Sequence, residues 1–307
     1  MNTSNRKQTS IIAVSNQKGG VGKTSTAVTI SVELAVNHDK RVLLVDMDGQ
    51  GNASSAIASS FDDNLYLSTM KDIAKERGQT ITSGLLNDGM TVADLALRTP
   101  VKNLDIICAD MTLETQFARK EVGSPNSQQM LKFLFERSRM EVYDAVVVDT
   151  PPSIGLLFQN TMNASNYFLI PTLAEPDSFD GIVEMFTEVT SIRKVNRSLI
   201  CLGILITNYN ANNRVHNDFL PEIEAWAQSY SLNLFSTKIK TSKAISTASA
   251  ERMPIPLTTT TNNARGGYAN LVIELLPLLR GRRRGNVTKI PSIKKGPKRN
   301  MDRVQRI

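Results

Sequence analysis

The sequence predicts a doubly wound α/β fold, a mainly parallel sheet flanked by helices on both faces, and three observations predict it. Apolar strand-like runs alternate with helical stretches along the chain. Several runs are continuous, Ala-Val-Val-Val at 145–148 and Leu-Gly-Ile-Leu-Ile at 202–206 among them, as suits strands covered on both faces. The first run leads directly into Gly19-Gly20-Val21-Gly22-Lys23-Thr24, a glycine-rich turn of the kind that opens a helix.

Taken in order, the first candidate strand is Ser10–Ser15, carried by Ile11, Ile12 and Val14. The stretch from Thr24 to about Asn37 is rich in β-branched residues, and propensity alone reads it as a strand. A helix is nevertheless expected there. The loop needs oriented N–H groups behind it, and Ala27, Ile30, Ser31 and Leu34 recur on one helical face. Further strands are expected at Arg41–Asp46, Asn103–Ala109, Asp144–Asp149, Asn166–Ile170 and Leu199–Thr207, with a weaker one at Asn233–Phe235. Helices are expected at Gln128–Met140, Pro176–Lys194, Val215–Gln228 and Asn262–Leu276. Ser59–Pro100 is less regular and reads as an elaboration of the same domain. With no internal repeat and no linker before Gly281, one domain over 1–280 is expected, followed by a tail over 281–307.

At 307 residues, 41% apolar and 21% charged, the chain has the composition of a folded globular protein. No apolar run approaches the ~20 residues of a membrane span. Met1–Ser10 is polar and lacks a signal-peptide core, so a cytoplasmic protein is expected. Cys108 and Cys201 lie far apart in apolar segments and read as small buried hydrophobes. His38 and His216 are isolated and read as surface or helix-end residues. The net charge of +7 is uneven: ten Lys or Arg and one Asp fall in 281–307, leaving residues 1–280 slightly acidic. With Pro291, Gly296 and Pro297 among its lysines, that tail is expected to be disordered alone and to suit a polyanion, a solubilising role being the plainer alternative.

The glycine-rich turn states its chemistry residue by residue. Gly19, Gly20 and Gly22 allow successive N–H groups, with those of Val21 and Ser25, to converge on one anion. Lys23 adds a charge for β/γ-phosphates, and the Thr24 hydroxyl suits a Mg²⁺ shell. A nucleoside triphosphate is the implied ligand. The spacing departs from the general Walker pattern, since Gln17 stands five places before Gly22 where glycine is usual, and a second lysine, Lys18, stands at the loop entrance. Two further strands end in acids: Val-Leu-Leu-Val-Asp46-Met-Asp48 and Val-Val-Val-Asp149-Thr-Pro-Pro. The carboxyl ends of parallel strands are where ligands bind, so Asp46, Asp48 and Asp149 are expected beside the loop.

With these pieces the chain closely resembles the ParA family of partition ATPases, in the deviant Walker A class that includes MinD. The matching residues are Lys18-Gly-Gly-Val-Gly-Lys23-Thr24, Asp46-Met-Asp48-Gly-Gln50-Gly-Asn52, and Asp149-Thr-Pro-Pro-Ser153. Pro171-Thr-Leu-Ala-Glu175, Gly181 and Gly267-Tyr268 extend the match, which runs from about Ser10 to Leu279. The resemblance implies ATP and Mg²⁺ as cofactors and an ATP-bound homodimer joined face to face. Lys18 would be the family's signature lysine, reaching the partner subunit's ATP, and Lys23 would bind phosphate. Thr24 would bind Mg²⁺, Asp46 would support its shell, Asp48 would orient the attacking water and Asp149 would be the Walker B acid. Asn208, in Thr-Asn-Tyr-Asn, is a looser match toward the adenine.

The same resemblance implies non-specific DNA binding on the nucleoid and release by a ParB-type partner that stimulates hydrolysis, while the C-terminal sequence, poor in Leu, Phe and Trp, argues for no stable membrane anchor. Arg265, Arg280, Arg282, Arg283 and Arg284 are the candidate DNA contacts. The chain departs from the family at Gly49, where many relatives have proline, in Lys238-Ile-Lys240-Thr-Ser-Lys243-Ala, and in the basic tail. Only about ten residues precede the first strand, which points away from relatives carrying an N-terminal helix-turn-helix domain. A MinD-like membrane positioner and a ParA-like positioner of protein cargo are the alternatives. The first of these needs an amphipathic C-terminal helix that Pro291 and Gly296-Pro297 would break.

Overall fold

In the computed structural model, which describes residues 8–60, 68–121, 126–258 and 263–280, the apolar runs become one sheet. Its strands are β1 (Ser10–Val14), β2 (Val42–Asp46), β3 (Leu97–Arg98), β4 (Leu104–Ile107), β5 (Ala145–Asp149), β6 (Tyr167–Thr172), β7 (Ile200–Tyr209) and β8 (Leu234–Lys240). They lie in the order β3-β4-β2-β5-β1-β6-β7-β8. All neighbours are parallel except β3 against β4.

Strand alternation divides the core between the two faces of the sheet. Ile12 and Val14 join Ala27, Ile30 and Leu34 of helix Lys23–Val36 and Tyr268 and Leu271 of helix Asn263–Arg280. Ala13 faces the opposite side, packed with Phe158, Ile182, Phe186 and Phe219 from helices Leu156–Ala164, Pro176–Ile192 and Arg214–Ser229. Each large apolar side chain among these contributes roughly 1.5–3 kcal/mol on burial. Burial also explains why the β-branched stretch is helical: Thr26, Val28, Thr29, Ile30 and Val32 are all buried, so packing overrides intrinsic preference. Two of its hydroxyls are satisfied, Ser31 within the helix by donating to the Ala27 carbonyl and Thr26 across to the last helix by meeting the Tyr268 hydroxyl at 3.2 Å.

Three features refine the expected elements. The weak strand at 233–235 is the start of β8, which extends to Lys240; its lysines hide the apolar signal of Phe235 and Ile239 on an edge strand. The helix expected over 128–140 is broken into a 3₁₀ turn at Ser127–Gln129, an α-helix at Met130–Glu136 and a second 3₁₀ turn at Met140–Val142. The irregular 59–100 stretch contains helices Met70–Arg77, Ile81–Leu86 and Val92–Leu95 besides β3. Cys108 is buried and Cys201 half-buried, and both are free thiols. Among the described residues no helix is long and apolar enough to cross a membrane.

Candidate functional site

Sheet register aligns the carboxyl ends of three strands. Asp149 at the end of β5 sits opposite Val14 of β1 on one side and Asp46 of β2 on the other. The glycine-rich loop leaves β1 at this point and turns into helix Lys23–Val36. Gly20 and Gly22 have φ of +75° and +79°, a region that L side chains rarely adopt. Gly22 occupies the N-cap position, and the helix has neither a side-chain cap nor an acid in its first turn. Its N-terminal donors and dipole are therefore left for an anion.

The loop is held from both sides. The Thr207 hydroxyl, at the end of β7, reaches the Val21 carbonyl at 2.8 Å and the Thr172 carbonyl at 3.0 Å. Asn16 donates to the Pro171 carbonyl at 2.8 Å and accepts from the Lys18 amide at 3.0 Å. Gly181 lets the helix after β6 approach this entrance, because a Cβ there would stand 3.3 Å from Asn16 Oδ1.

Lys23 is buried, and its ammonium donates to the Lys18 carbonyl at 2.9 Å. Burial pushes its pKa down, against the opposing pull of Asp149 and Asp48. Asp46 is wholly buried; its Oδ2 accepts from the Ser54 amide at 2.8 Å and the Ser54 hydroxyl at 2.7 Å, and its Oδ1 from the Asp48 amide at 3.1 Å. Desolvation raises its pKa to about 6 despite the Ser54 hydrogen bonds, with the Asp48 charge adding to the rise. Asp149 is raised well above the carboxylate range by burial first and then by the Asp46 charge; the Thr24 hydroxyl and Lys23 oppose this. Both Asp149 oxygens are nevertheless buried without a geometrically sound hydrogen bond, as are Ser15 Oγ and Gln17 Nε2 beside the loop. Asp48 lies just past β2, its Oδ1 accepting from the Gln50 amide at 3.0 Å.

Two unpartnered carboxylate oxygens beside a threonine hydroxyl and an anion-ready helix N-terminus form a donor set suited to a hard cation shared with phosphate. Among the described residues no three His, Cys, Asp or Glu side chains form a ready cage, as is usual where phosphate and water complete a Mg²⁺ shell. Beside Thr24 and Ser25 opens a cavity of 320 Å³, walled further by Asn52, Ser55, Arg252 and Pro254.

The structure thus brings Lys18, Gly19, Gly20, Val21, Gly22, Lys23, Thr24, Ser25, Asp46, Asp48 and Asp149 to one edge of the sheet. Asn208 is exposed just beyond Thr207, at φ +50°, and does not line this cavity. Arg265 lies on the last helix, where its guanidinium donates to the Thr258 carbonyl at 3.3 Å. The Arg280 side chain and Arg282, Arg283 and Arg284 lie outside the described residues.

Four contributors escape sequence reasoning. Ser54 follows the Asp46 motif closely enough that extending that motif would find it. Thr207 carries no local signal, because its role exists only across the sheet. Glu175 falls within the family match but gains a role only here; its Oε2 lies 4.0 Å from Lys18 Nζ and its Oε1 3.4 Å from His216 Nε2. His216 stands in the first turn of its helix but is buried, with Nδ1 accepting from the Asn210 amide at 3.0 Å. In the neutral ring this leaves the proton on Nε2, facing Glu175.

A family model described as an AAA domain matches residues 9–201. The sporulation initiation inhibitor protein Soj of Bacillus subtilis is 32% identical over 267 residues, covering 86% of this chain and 97% of Soj. The chromosome partitioning protein ParA of Myxococcus xanthus is 32% identical over 217 residues, 70% of this chain and 71% of that protein. Among solved structures, cobyrinic acid a,c-diamide synthase of Mycobacterium smegmatis with bound ADP and magnesium superposes with a TM-score of 0.70 at 23% identity, over 92% of this chain and 100% of that one. A putative plasmid partition protein of Borrelia burgdorferi bound to AMPPNP gives 0.70 at 22%, over 88% and 100%. At these identities the superpositions speak to the fold.

Proposed function

Because this chain belongs to the ParA family of partition ATPases, we propose that it is an ATP-gated switch that binds DNA non-specifically and positions a genetic cargo. The observation that carries this reading is the pairing of an uncapped helix N-terminus holding buried Lys23 with the unpartnered oxygens of Asp149 one strand away. Such a pair suits Mg²⁺-ATP better than a metabolite without phosphate. The structural neighbour bound to ADP and magnesium and the one bound to AMPPNP support it.

In this reading the backbone of Gly19–Gly22 and the Lys23 ammonium hold the phosphates, while Thr24 and Asp149 hold Mg²⁺ and Asp46, anchored by Ser54, supports that shell. A Mg²⁺ ion held by these residues would supply neutralising charge to the phosphate oxygens. Asp48 orients the attacking water. Ser25 lies at the cradle's helix end, and Asn208 stands for the base contact. Lys18 is half-exposed outside the cradle, loosely held by Glu175, and is the residue assigned to a second subunit's nucleotide. A lysine about 4 Å from phosphate at an effective dielectric of 20 gains on the order of 4 kcal/mol before desolvation. Two symmetric contacts of that kind would close a weak dimer only while γ-phosphate is present. A ParB-type partner would then release the complex by stimulating hydrolysis.

Light scattering with ATP tests the switch. The wild-type chain is expected to dimerise and then retain DNA, whereas Lys18→Ala should bind ATP but stay monomeric. Dimerisation unchanged by Lys18→Ala would remove the cross-subunit role. ATP-dependent retention on anionic vesicles in place of DNA would favour the membrane-positioning reading.

A further inference from the structure

We propose that Lys71 is a positioning residue that straps the Asp48–Gly51 turn and so sets the turnover rate, leaving nucleotide affinity to the glycine-rich loop. This rests on the reading of Asp48 as the residue that orients the attacking water. Lys71 lies on helix Met70–Arg77, in the stretch that the sequence presents only as an elaboration. Its base is fixed. Thr69 and Asp72 close a capping box, with the Thr69 amide and hydroxyl each donating to Asp72 Oδ2 at 2.7 Å. Met70 and Ala74 are buried in the core beside Ala53 and Ile57. From that support the Lys71 ammonium donates to the Gln50 carbonyl.

The lysine stem crosses the turn at Gly51. A Cβ there would stand 2.6 Å from Lys71 Nζ, 2.7 Å from Cε and 2.9 Å from Cδ, and the φ of +68° also favours glycine. The turn beneath is the one that carries Asp48. The Gln50 amide donates to Asp48 Oδ1 at 3.0 Å, and the Gly51 amide donates to the Asp48 carbonyl at 2.8 Å. Holding the Gln50 carbonyl therefore restrains the residue whose amide orients the Asp48 carboxylate. A charge-assisted bond on a well-anchored stem restrains that turn as no apolar side chain of the same length can.

Two measurements on the full chain decide it. Without nucleotide, amide exchange across residues 48–52 should quicken roughly tenfold in Lys71→Met, as fits the removal of one charge-assisted bond. At saturating ATP, kcat should fall about tenfold with KM within about twofold, because the bond removed orients the water and not the phosphates. Lys71→Arg, which keeps a donor, should recover most of both effects. Unchanged exchange in Lys71→Met, or a raised KM at constant kcat, would overturn the strap. Equal impairment in the Arg and Met variants would make the role simple packing and also overturn it. A wild-type chain that hydrolyses no ATP would instead refute the functional reading, and the exchange measurement would still decide whether Lys71 holds the turn.

Discussion

Lys23 and Asp149 are both kept in electrostatic discomfort, and a ligand relieves both. Burial disfavours the Lys23 ammonium, and its nearest bond is to a carbonyl of its own loop. Phosphate would replace that weak partner with a strong one. Lys23→Met should therefore cost about 1.5–3 kcal/mol of ATP affinity, roughly ten- to over a hundredfold, read by calorimetric titration. Normal affinity in the folded variant would remove Lys23 from the phosphate site. At Asp149 two buried oxygens lack hydrogen-bond partners and face the Asp46 charge. Because burial and the Asp46 charge raise the Asp149 pKa, folding must either neutralise the carboxylate of the unfolded chain or bury it charged. An isosteric amide avoids that cost, so nucleotide-free Asp149→Asn should be more stable than wild type by roughly 1–3 kcal/mol in urea at neutral pH. The same variant should forfeit most of the thermal stabilisation conferred by Mg²⁺ with ATP. A less stable nucleotide-free Asp149→Asn protein would show that the carboxylate is satisfied by the fold itself.

Between elements, the loop is fastened to the sheet by groups far away in sequence. Thr207 sits 186 residues after the Val21 carbonyl that it reaches. Thr207→Val keeps the branched shape of a strand residue but removes the hydroxyl proton shared by the Val21 and Thr172 carbonyls. Stability should fall by about 1–2 kcal/mol and ATP affinity should weaken with it, whereas Thr207→Ser should retain both. A valine variant indistinguishable from wild type in urea unfolding and ATP titration would contradict this tie. Thr207 also marks where the sequence stops being legible. The alternation of strands, the glycine-rich turn and the three aspartates are local signals, and each maps onto the carboxyl edge of the sheet. Loop-gripping and turn-strapping residues have no local signature, because Thr207 and Lys71, like the pair of His216 with Glu175, meet their partners only when separate segments of the chain come together. The full length of β8 is hidden for a related reason: on an edge strand, solvent-facing lysines dilute the apolar pattern.

At the scale of the whole molecule, charge is partitioned along the chain. Residues 1–280 are slightly acidic, and the excess of Lys and Arg falls in 281–307. A slightly acidic body is repelled by a polyanion except where it presents a local basic patch, so in the proposed DNA-binding role the tail is the expected source of bonds to phosphate. Arg265 in the folded part spends at least one donor on the Thr258 carbonyl, which favours Arg282, Arg283 and Arg284 over it for binding DNA. Deleting 281–307 should weaken DNA binding in the presence of ATP and flatten its salt dependence by a slope of roughly 0.9 for each phosphate that the tail neutralises. Nucleotide binding should persist, because the loop, the aspartates and the residues that hold them all precede Arg280. DNA affinity titrated from low to moderate salt, on full-length and truncated protein side by side, separates the possibilities. A parallel slope in the two proteins would assign phosphate neutralisation to the folded body. A flattened slope with unchanged ATP affinity would establish the tail as the electrostatic arm of the switch and the sheet edge as its nucleotide gate.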